Sequence, residues 1–373
     1  MNIAQIRSIA ASALHFVPVQ VWRTLFPQAA IGLCYHAVSD RPLPHVKHYP
    51  VITTRQFEND LDYLQKVFNF ISYEHLILIR SGSSEQKNAA ILTFDDGFAE
   101  CASVIAPILI RRGLSCVFFV ITDHIDNRHA FRESKASLCI HAVTQLPKER
   151  VDAAVRTMDL KKRLRPLPKR VFLNPAKVPL DIADFDREVS PHLLPLIHWL
   201  LTLLPNEESL LDELSELLGV DSKGFLHSVQ PYLTTQQIRH LQELGFTIGA
   251  HSLSHRLLQN LSQEEAECEI VSSCEIVRSI TGEESVPFAF PYYGAGIDRT
   301  WLGRLRSEHK SVGLFFDTGG LRKDEPFVVP NLKSSNHYKI HSVRSVSAAR
   351  RIASRSTVTG ECPRVSRYRQ YCL

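Results

Sequence analysis

One apolar run in the sequence ends in two adjacent acidic residues: Ala89-Ala90-Ile91-Leu92-Thr93-Phe94-Asp95-Asp96-Gly97. The apolar part predicts a buried strand, and the segment from Phe98 to Arg112 predicts a helix that ends at Gly113. Folds of the α/β class carry their chemistry at the carboxyl ends of such strands. Two like charges side by side are costly without a cation or a shared proton, so the pair indicates a metal site or an acid–base site. Alone, an Asp-Asp pair is more often part of a loop or a helix start.

A second polar segment, Gly249-Ala250-His251-Ser252-Leu253-Ser254-His255, follows another predicted buried strand at residues 246–250. If one helical turn follows this strand, the two imidazoles share a face. Two histidines and one carboxylate, with positions left open for water, suit a catalytic divalent metal. The histidine pair alone also fits solvated or capping residues. Because both motifs follow predicted buried strands, together they favour a site.

Two further segments are candidates for the same site. Phe288-Ala289-Phe290-Pro291-Tyr292-Tyr293-Gly294 is an apolar run that ends in a Pro-Tyr turn. A backbone N–H directly after such a proline can bind a developing oxyanion, although an ordinary strand-to-turn transition explains the pattern equally well. The apolar run at residues 31–38 contains His36, which is either a site residue or a satisfied core histidine.

Together these segments resemble the motifs of the NodB-type polysaccharide deacetylases, carbohydrate esterase family 4. The family's Thr-Phe-Asp-Asp-Gly motif is present unchanged at residues 93–97, and its His-Ser/Thr-x-x-His motif matches residues 251–255. Its Pro-Tyr motif matches Pro291-Tyr292. The Tyr-His-x-Val start at residues 35–38 is similar to the subgroup that deacetylates exopolysaccharides such as poly-N-acetylglucosamine. The resemblance covers roughly residues 31 to 345, apart from a long middle segment.

The resemblance implies a deformed (β/α) barrel with a helical insertion, and metal-dependent hydrolysis of N-acetyl groups on a glycan or polysaccharide. It implies that Asp96, His251 and His255 hold the metal, with Zn²⁺ as the expected ion and Co²⁺ or Mn²⁺ as alternatives. A bound ion of this kind lowers the pKa of its water to about 7 and polarises the acetyl carbonyl.

The resemblance also implies the remaining catalytic roles. Asp95 would be the general base and His36 the general acid, while Tyr292 would supply an oxyanion-binding N–H. The other implied positions are Pro291 and Tyr293 for substrate binding, and His337 and His341 as alternative acids.

The sequence departs from the family at two positions that often carry arginine: Ala289 and Asn331. Lys333 and Arg322 are candidate replacements for the missing charge. These departures keep two alternatives open. One is a catalytically weak or inactive glycan-binding protein of the same fold, and the other is a metal-dependent hydrolase that acts on a non-glycan amide.

Length and patterning divide the chain of 373 residues into four parts. We predict an N-terminal amphipathic helical segment at 1–30, a barrel at 31–345, a helical insert at 127–230 within the barrel, and a basic tail at 346–373. The insert carries a helical leucine stripe between residues 210 and 218, which predicts a small helical core rather than a cofactor site. The tail is either a solvated segment or an anchor on anionic lipid or polymer.

Composition limits the compartment and the partners. The net charge of +4 is too mild to indicate nucleic acid, so an N-acetylated glycan is the expected partner. The eight cysteines form no Cys-x-x-Cys pair, which favours a reducing compartment. No clear signal peptide or membrane-spanning run is present, so we expect a cytoplasmic or membrane-peripheral protein, with the N-terminal helix packed on the barrel or lying on a membrane surface. The sequence leaves the oligomeric state open.

Overall fold

Seven parallel strands close into a barrel in the computed structural model of the protein, which describes residues 30–160, 164, 171–173, 178–180, 191–203, 207–319 and 324–333. These strands are β1 (Ile31–Tyr35), β3 (Ala89–Phe94), β4 (Cys116–Val120), β7 (Thr247–Ala250), β8 (Val286–Ala289), β9 (Val312–Asp317) and β10 (Val328–Lys333). Their order is β1-β10-β9-β8-β7-β4-β3, and pairing of β3 with β1 closes the ring. The prediction of a deformed (β/α) barrel is therefore confirmed.

Three short strands lie outside this ring. Strand β2 (Asn69–Phe70) pairs in parallel with the first two residues of β3. Strands β5 (Val171–Leu173) and β6 (Val178–Leu180) form a separate antiparallel pair.

Helices connect the strands. Those of the barrel are α1 (Thr54–Leu64), α2 (Tyr73–Arg80), α3 (Ala106–Arg112), α9 (Thr235–Glu243), α10 (Gln263–Thr281) and α11 (Arg299–Glu308). Between β4 and β7 the chain forms α4 (Arg132–Gln145), α5 (Lys148–Thr157), α6 (Leu194–Leu201), α7 (Glu208–Leu218) and α8 (Ser222–Val229). None of the helices in these described parts of the chain has both the length and the apolarity needed to cross a lipid bilayer.

Alternating strand residues build two apolar layers. In β3, Leu92 and Phe94 belong to the larger cluster that packs against the surrounding helices, whereas Ile91 belongs to a smaller interior cluster. Tyr73 of α2 joins the interior cluster, and its hydroxyl accepts a hydrogen bond from the Leu314 N–H at 3.1 Å. All six residues of β3 are buried, which fits a strand covered on both faces.

A glycine makes room for a large ring inside the barrel. A Cβ at Gly249 of β7 would overlap the ring of Phe119 on the neighbouring strand β4. The ring of Phe119 in turn packs against Phe316 of β9, with ring centroids 5.1 Å apart. The narrow interior is thus filled by aromatic rings that only a glycine neighbour tolerates.

Most predicted elements occur within a few residues of their expected bounds, with one local difference. The helix expected after the Asp-Asp motif begins with a π-helical turn at Cys101–Ile105 before α3 ends at Gly113. Helix α9 is capped by Thr234, in a capping box with Gln237. Thr234 is the residue with extended backbone, which is the conformation that an N-cap requires.

Four of the helices between β4 and β7, α4 to α7, pack around an apolar cluster of their own, whereas Leu226 of α8 belongs to a different cluster. Leu211, Leu214 and Leu218 of α7 are buried there, as the leucine stripe predicts. Helix α4 packs against both α6 and α7. The predicted N-terminal helix, the basic tail, Arg322, His337 and His341 lie outside the described residues, and of Lys333 only the backbone is described.

Candidate active site and metal centre

Strand register brings the predicted site residues to one end of the barrel. Tyr35 is paired with Phe94, and Val120 with Ala250, so the residues that follow each strand lie at the same level. The backbone continues this pairing, because Asp95 N–H donates to the Tyr35 carbonyl at 3.0 Å and His251 N–H donates to the Val120 carbonyl at 2.8 Å. The carboxyl end of the barrel therefore carries both sequence motifs.

Three side chains form a compact set of possible metal ligands. One ligand atom each from Asp96, His251 and His255 lies within 4.8 Å of the other two. Asp96 Oδ1 is 3.5 Å from Nε2 of His251 and 3.5 Å from Nε2 of His255. Asp96 and His251 are almost fully buried, and His255 is nearly so. Two imidazoles and a carboxylate in this geometry can hold a divalent ion.

Hydrogen bonding fixes which nitrogen of His251 is the ligand. Nδ1 lies 2.9 Å from the carbonyl oxygen of Ala289, and a carbonyl can only accept. Nδ1 therefore carries the hydrogen, and the lone pair of the neutral ring is on Nε2, the atom that faces Asp96. Burial, followed by the nearby His255, lowers the pKa of His251 to about 3, so the ring is neutral at physiological pH. This is the state that a metal ligand requires.

His255 lies between two carboxylates. Its Nε2 faces Asp96, and its Nδ1 is 3.8 Å from Oε2 of Glu133, the second residue of α4. Burial alone would lower the pKa of His255, but Glu133 and Asp96 outweigh burial and raise it above its usual value. A carboxylate behind a histidine of this kind orients the ring and increases its basicity as a ligand.

Asp96 is held from its other side by a tyrosine of the loop after β1. Tyr49 donates its hydroxyl hydrogen to Asp96 Oδ2 at 2.5 Å, so Oδ1 remains directed at the two histidines. Burial alone would raise the pKa of Asp96. The nearby histidines, His255 most strongly, outweigh burial and lower this pKa below its usual value. Asp96 is therefore a carboxylate, the form that binds metal.

The second aspartate has different neighbours. Asp95 is 3% exposed, and its Oδ2 accepts a hydrogen bond from the Cys34 thiol at 3.1 Å. One ring nitrogen of His36 and the Cys34 sulfur lie within 4.8 Å of an Asp95 carboxylate oxygen and of each other. The ring of His36 also packs against Tyr49, with centroids 4.4 Å apart. Cys34 is thus one described partner of this carboxylate.

The segment between the two histidines is not a helical turn, which was one way to place both imidazoles on one face. Ser252 and His255 both have left-handed backbone, with φ of +66° and +61°. The Ser252 hydroxyl accepts a hydrogen bond from the His255 N–H at 2.9 Å. Glu269 of α10, which is buried, accepts from the N–H groups of Leu253 and Ser254 at 2.9 and 3.0 Å. A turn closed by side chains, and not a helix, therefore brings the imidazoles together.

The Pro-Tyr turn after β8 covers one side of the triad. Tyr292 has φ of +63°, and its ring packs on that of His255 with centroids 4.8 Å apart. Its hydroxyl donates to Glu133 and accepts from Arg132 at 3.2 Å. Pro291 is buried and Tyr293 is half-buried in the same turn. The start of α4 and the Pro-Tyr turn thus meet beside His255.

An ion-pair network holds the far end of this turn. Arg299 binds Asp317 at 2.7 Å and Asp324 at 2.9 Å, and it also donates to the Gly294 carbonyl at 2.9 Å. Asp317 accepts from the Gly294 N–H at 2.8 Å. The turn is therefore fixed by charged groups that lie outside the triad.

The two positions that depart from the family have structural roles. Ala289 supplies the carbonyl that orients His251, which requires only its backbone. Asn331 is buried inside the barrel, where its Oδ1 accepts from the Thr93 hydroxyl at 3.1 Å. Its side chain occupies the space that a Cβ on Gly32 would need.

Sequence reasoning missed several residues of this site. Tyr49 lies in an irregular loop, and Glu133 and Glu269 lie on helices far along the chain from the atoms they contact. No local pattern indicates these contacts. Cys34 carried a usable signal, because it directly precedes the Tyr-His motif, but its apolar neighbours favoured a core role.

The protein is a closed parallel (β/α) barrel whose carboxylates and imidazoles gather at the carboxyl ends of its strands, where barrels of this kind carry their active sites. A family model described as polysaccharide deacetylase matches residues 82–184 and 219–314, just over half of the chain. The chain belongs to the polysaccharide deacetylase family. The sequence-based prediction of this family is confirmed, and an acetylated glycan is the substrate class that it implies.

Solved structures give more distant likenesses. The chain is similar to the Streptococcus pyogenes deacetylase PplD in complex with acetate, with 13% identity, a TM-score of 0.48, and coverage of 82% of this chain and 92% of that chain. It is also similar to IcaB from Ammonifex degensii, with 14% identity, a TM-score of 0.47, and coverage of 84% of this chain and 96% of that chain. A third similar structure is a de-N-acetylase from Aggregatibacter actinomycetemcomitans, with 16% identity, a TM-score of 0.43, and coverage of 81% of this chain and 94% of that chain. No curated protein sequence matches the chain significantly.

Proposed function

We propose that the protein hydrolyses the N-acetyl groups of a glycan with the help of a divalent metal, and that Asp95 is the general base. The observation that carries this proposal is the placement of Asp95 and His36 directly beside the triad of Asp96, His251 and His255. A catalytic carboxylate and a catalytic imidazole next to a metal centre are the groups that amide hydrolysis needs.

The triad fits a resident ion, and Zn²⁺ suits its donors best, with Co²⁺ or Mn²⁺ as alternatives. The fit rests on His251, whose Nδ1–H donates to the Ala289 carbonyl and leaves Nε2 as the donor toward Asp96. When bound, such an ion lowers the pKa of a water molecule and polarises the acetyl carbonyl.

The chain's own groups then move the protons. Asp95 takes a proton from the attacking water, because its carboxylate lies beside the triad and Cys34 keeps one of its oxygens in place. His36 donates a proton to the departing amine, which leaves poorly without one. We assign the N–H of Tyr292 as a donor to the developing oxyanion, since this residue lies in the turn after β8 and packs on His255. Pro291 and Tyr293 line the substrate side of the same turn.

Acetate release tests the proposal. Purified protein loaded with Zn²⁺ should free acetate from N-acetylglucosamine oligomers. Asp95→Asn should retain the metal and lose about 10²- to 10⁴-fold in kcat, the usual contribution of a general base. Asp96→Ala should lose the metal of the triad and the activity. Metal content measured by elemental analysis separates the two variants, and full activity in Asp95→Asn would remove this residue as the base.

The alternative functions give different results in the same assay. A glycan-binding protein without turnover would bind metal and oligomers but release no acetate. A hydrolase of non-glycan amides would release acetate from small N-acetylated amides and leave several glycans untouched. The buried Cys34–Asp95 hydrogen bond favours turnover, because it gives the base a partner where family arginines are absent.

A further inference from the structure

A second set of metal-ligand atoms lies beside the triad and shares no residue with it. It consists of the thiol of Cys34, the ring of His36 and the carboxylate of Asp95, with one atom of each within 4.8 Å of the other two. Ligand atoms of a tetrahedral zinc site with a thiolate lie about 3.4 to 3.6 Å apart, given the usual bond lengths. Shifts on the order of 1 Å would therefore let these three atoms hold one ion.

The chemistry of this set selects a particular kind of ion. A thiolate together with an imidazole prefers Zn²⁺ and other thiophilic ions over Mg²⁺, Ca²⁺ or Mn²⁺. Cys34 is 0% exposed and Asp95 is 3% exposed, so a charge placed here must be balanced locally. One thiolate and one carboxylate balance the two charges of Zn²⁺, which makes the loaded site neutral.

We propose that Cys34, His36 and Asp95 form a second, thiolate-containing zinc site, and that its occupation inhibits the enzyme. On binding, the S–H bond of Cys34 breaks, an S–Zn bond forms and the proton passes to solvent, with no change of oxidation state. The bound ion replaces the hydrogen bond from Cys34 to Asp95. The inhibitory part rests on the proposed function, because the ion would occupy the base Asp95 and the acid His36.

The second site binds more weakly than the triad. It must first lose a thiol proton and the 3.1 Å hydrogen bond between Cys34 and Asp95. In the triad, His251 already presents an unprotonated Nε2 toward Asp96. The first equivalent of metal therefore goes to the triad, and the second equivalent goes to the Cys34 set.

Cobalt titration of the metal-free full-length protein tests the site independently of activity. Thiolate-to-cobalt charge-transfer absorption in the near ultraviolet should appear with the second equivalent of Co²⁺. Cys34→Ser keeps a hydroxyl at this position but removes the thiolate, so the band should vanish. Cys116→Ser is the matched control, because Cys116 is equally buried and belongs to neither set, and it should retain the band.

Two further variants keep the test decisive if Cys34→Ser folds poorly, as judged by circular dichroism. His36→Ala removes a half-buried ligand without touching the thiol, and it should also lose the second equivalent. Asp96→Ala should lose the first equivalent and retain the thiolate band. A band of unchanged intensity in Cys34→Ser and in His36→Ala, or a wild type that binds one equivalent without any band, would overturn the second site.

Acetate release then tests inhibition. In the wild type, excess Zn²⁺ should lower the rate by about 10²-fold or more relative to one equivalent, since both proton-transfer groups are lost. Cys34→Ser, compared with its own rate at one equivalent, should show no such loss. A cobalt band combined with a constant rate would refute the inhibition alone. Absence of acetate from every glycan would refute the proposed function, while the band would still decide the presence of the site.

Discussion

Glu133 contacts the candidate metal centre from outside the ligand set. Its Oε2 faces Nδ1 of His255 at 3.8 Å, and its Oε1 accepts hydrogen bonds from Arg132 and Tyr292. Burial would raise the pKa of Glu133, but the nearby His255 ring and the charge of Arg132 hold it well below its usual value. A buried carboxylate at this position keeps the His255 ring oriented with Nε2 toward the ion.

We expect Glu133→Gln to weaken metal binding by about 10- to 100-fold, the usual effect of removing the partner of a ligating histidine. The raised pKa of His255 also means that the metal-free ring keeps its proton to higher pH, so metal binding displaces it and affinity falls as the pH decreases. Glu133→Gln should reduce this proton release, measured by calorimetry in buffers of different ionisation enthalpy. Glu149→Gln, at an exposed position on α5, is the control and should leave both quantities unchanged. An equal affinity in the two variants would contradict the role of Glu133.

Helix α10 acts on the site as a complete element. Its N-terminus carries a capping box of Ser262 and Glu265, and its buried Glu269 closes the turn between His251 and His255. The helix therefore fixes a loop whose left-handed residues would otherwise be unfavourable.

We expect Glu269→Ala to lower the free energy of unfolding by about 2 to 4 kcal/mol, because it leaves two N–H groups and a hydroxyl without their charged acceptor. Metal affinity should fall in parallel, since the turn carries two of the three ligands. Urea unfolding and competition with a chelator measure the two effects. Glu264→Ala, on the exposed face of the same helix, should change either quantity little. Unchanged metal affinity in Glu269→Ala would show that the turn does not depend on α10.

The barrel, and the proximity of Asp96 to the two histidines, could be predicted from the sequence for a physical reason. Strand periodicity is local, and parallel strands place the residues that follow them at one common edge, so Asp96 and His251 were expected to meet. The conformation of the turn at Ser252 could not be predicted from the sequence, because its left-handed backbone is held by Glu269, which lies 17 residues further on. Tyr49 and Glu133 were missed because their contacts with the triad are set by packing and not by local pattern.

The molecule as a whole buries several neutral histidines. His45 and His124 are 2% and 4% exposed, and burial lowers the pKa of each to about 4. The unfolded chain takes up these protons near pH 6.5, whereas the folded chain resists them until about pH 4. Protons therefore favour the unfolded chain between these values, and stability falls as the pH decreases through this range.

For His45 alone, the loss between pH 7 and pH 5 is about 2 kcal/mol. His45→Phe suits the ring contacts with Phe98 and Phe225, and it should remove that part of the pH dependence. Urea unfolding at both pH values, with a chelator present to exclude metal effects, measures the difference. Identical pH dependence in the variant and the wild type would mean that the His45 ring is protonated in the fold.

The position of Glu133 at the start of α4 has a consequence for the whole chain. The helices between β4 and β7 have an apolar cluster of their own, yet α4 supplies a partner for the ligand His255. Thermodynamic reciprocity requires that whatever α4 adds to metal affinity, the metal returns as protection of α4 against local opening. Loading with Zn²⁺ should therefore slow amide hydrogen exchange in the first turns of α4 while leaving α11 unaffected. Metal binding and the local stability of the helices between β4 and β7 are then thermodynamically linked, so that a change in one must change the other.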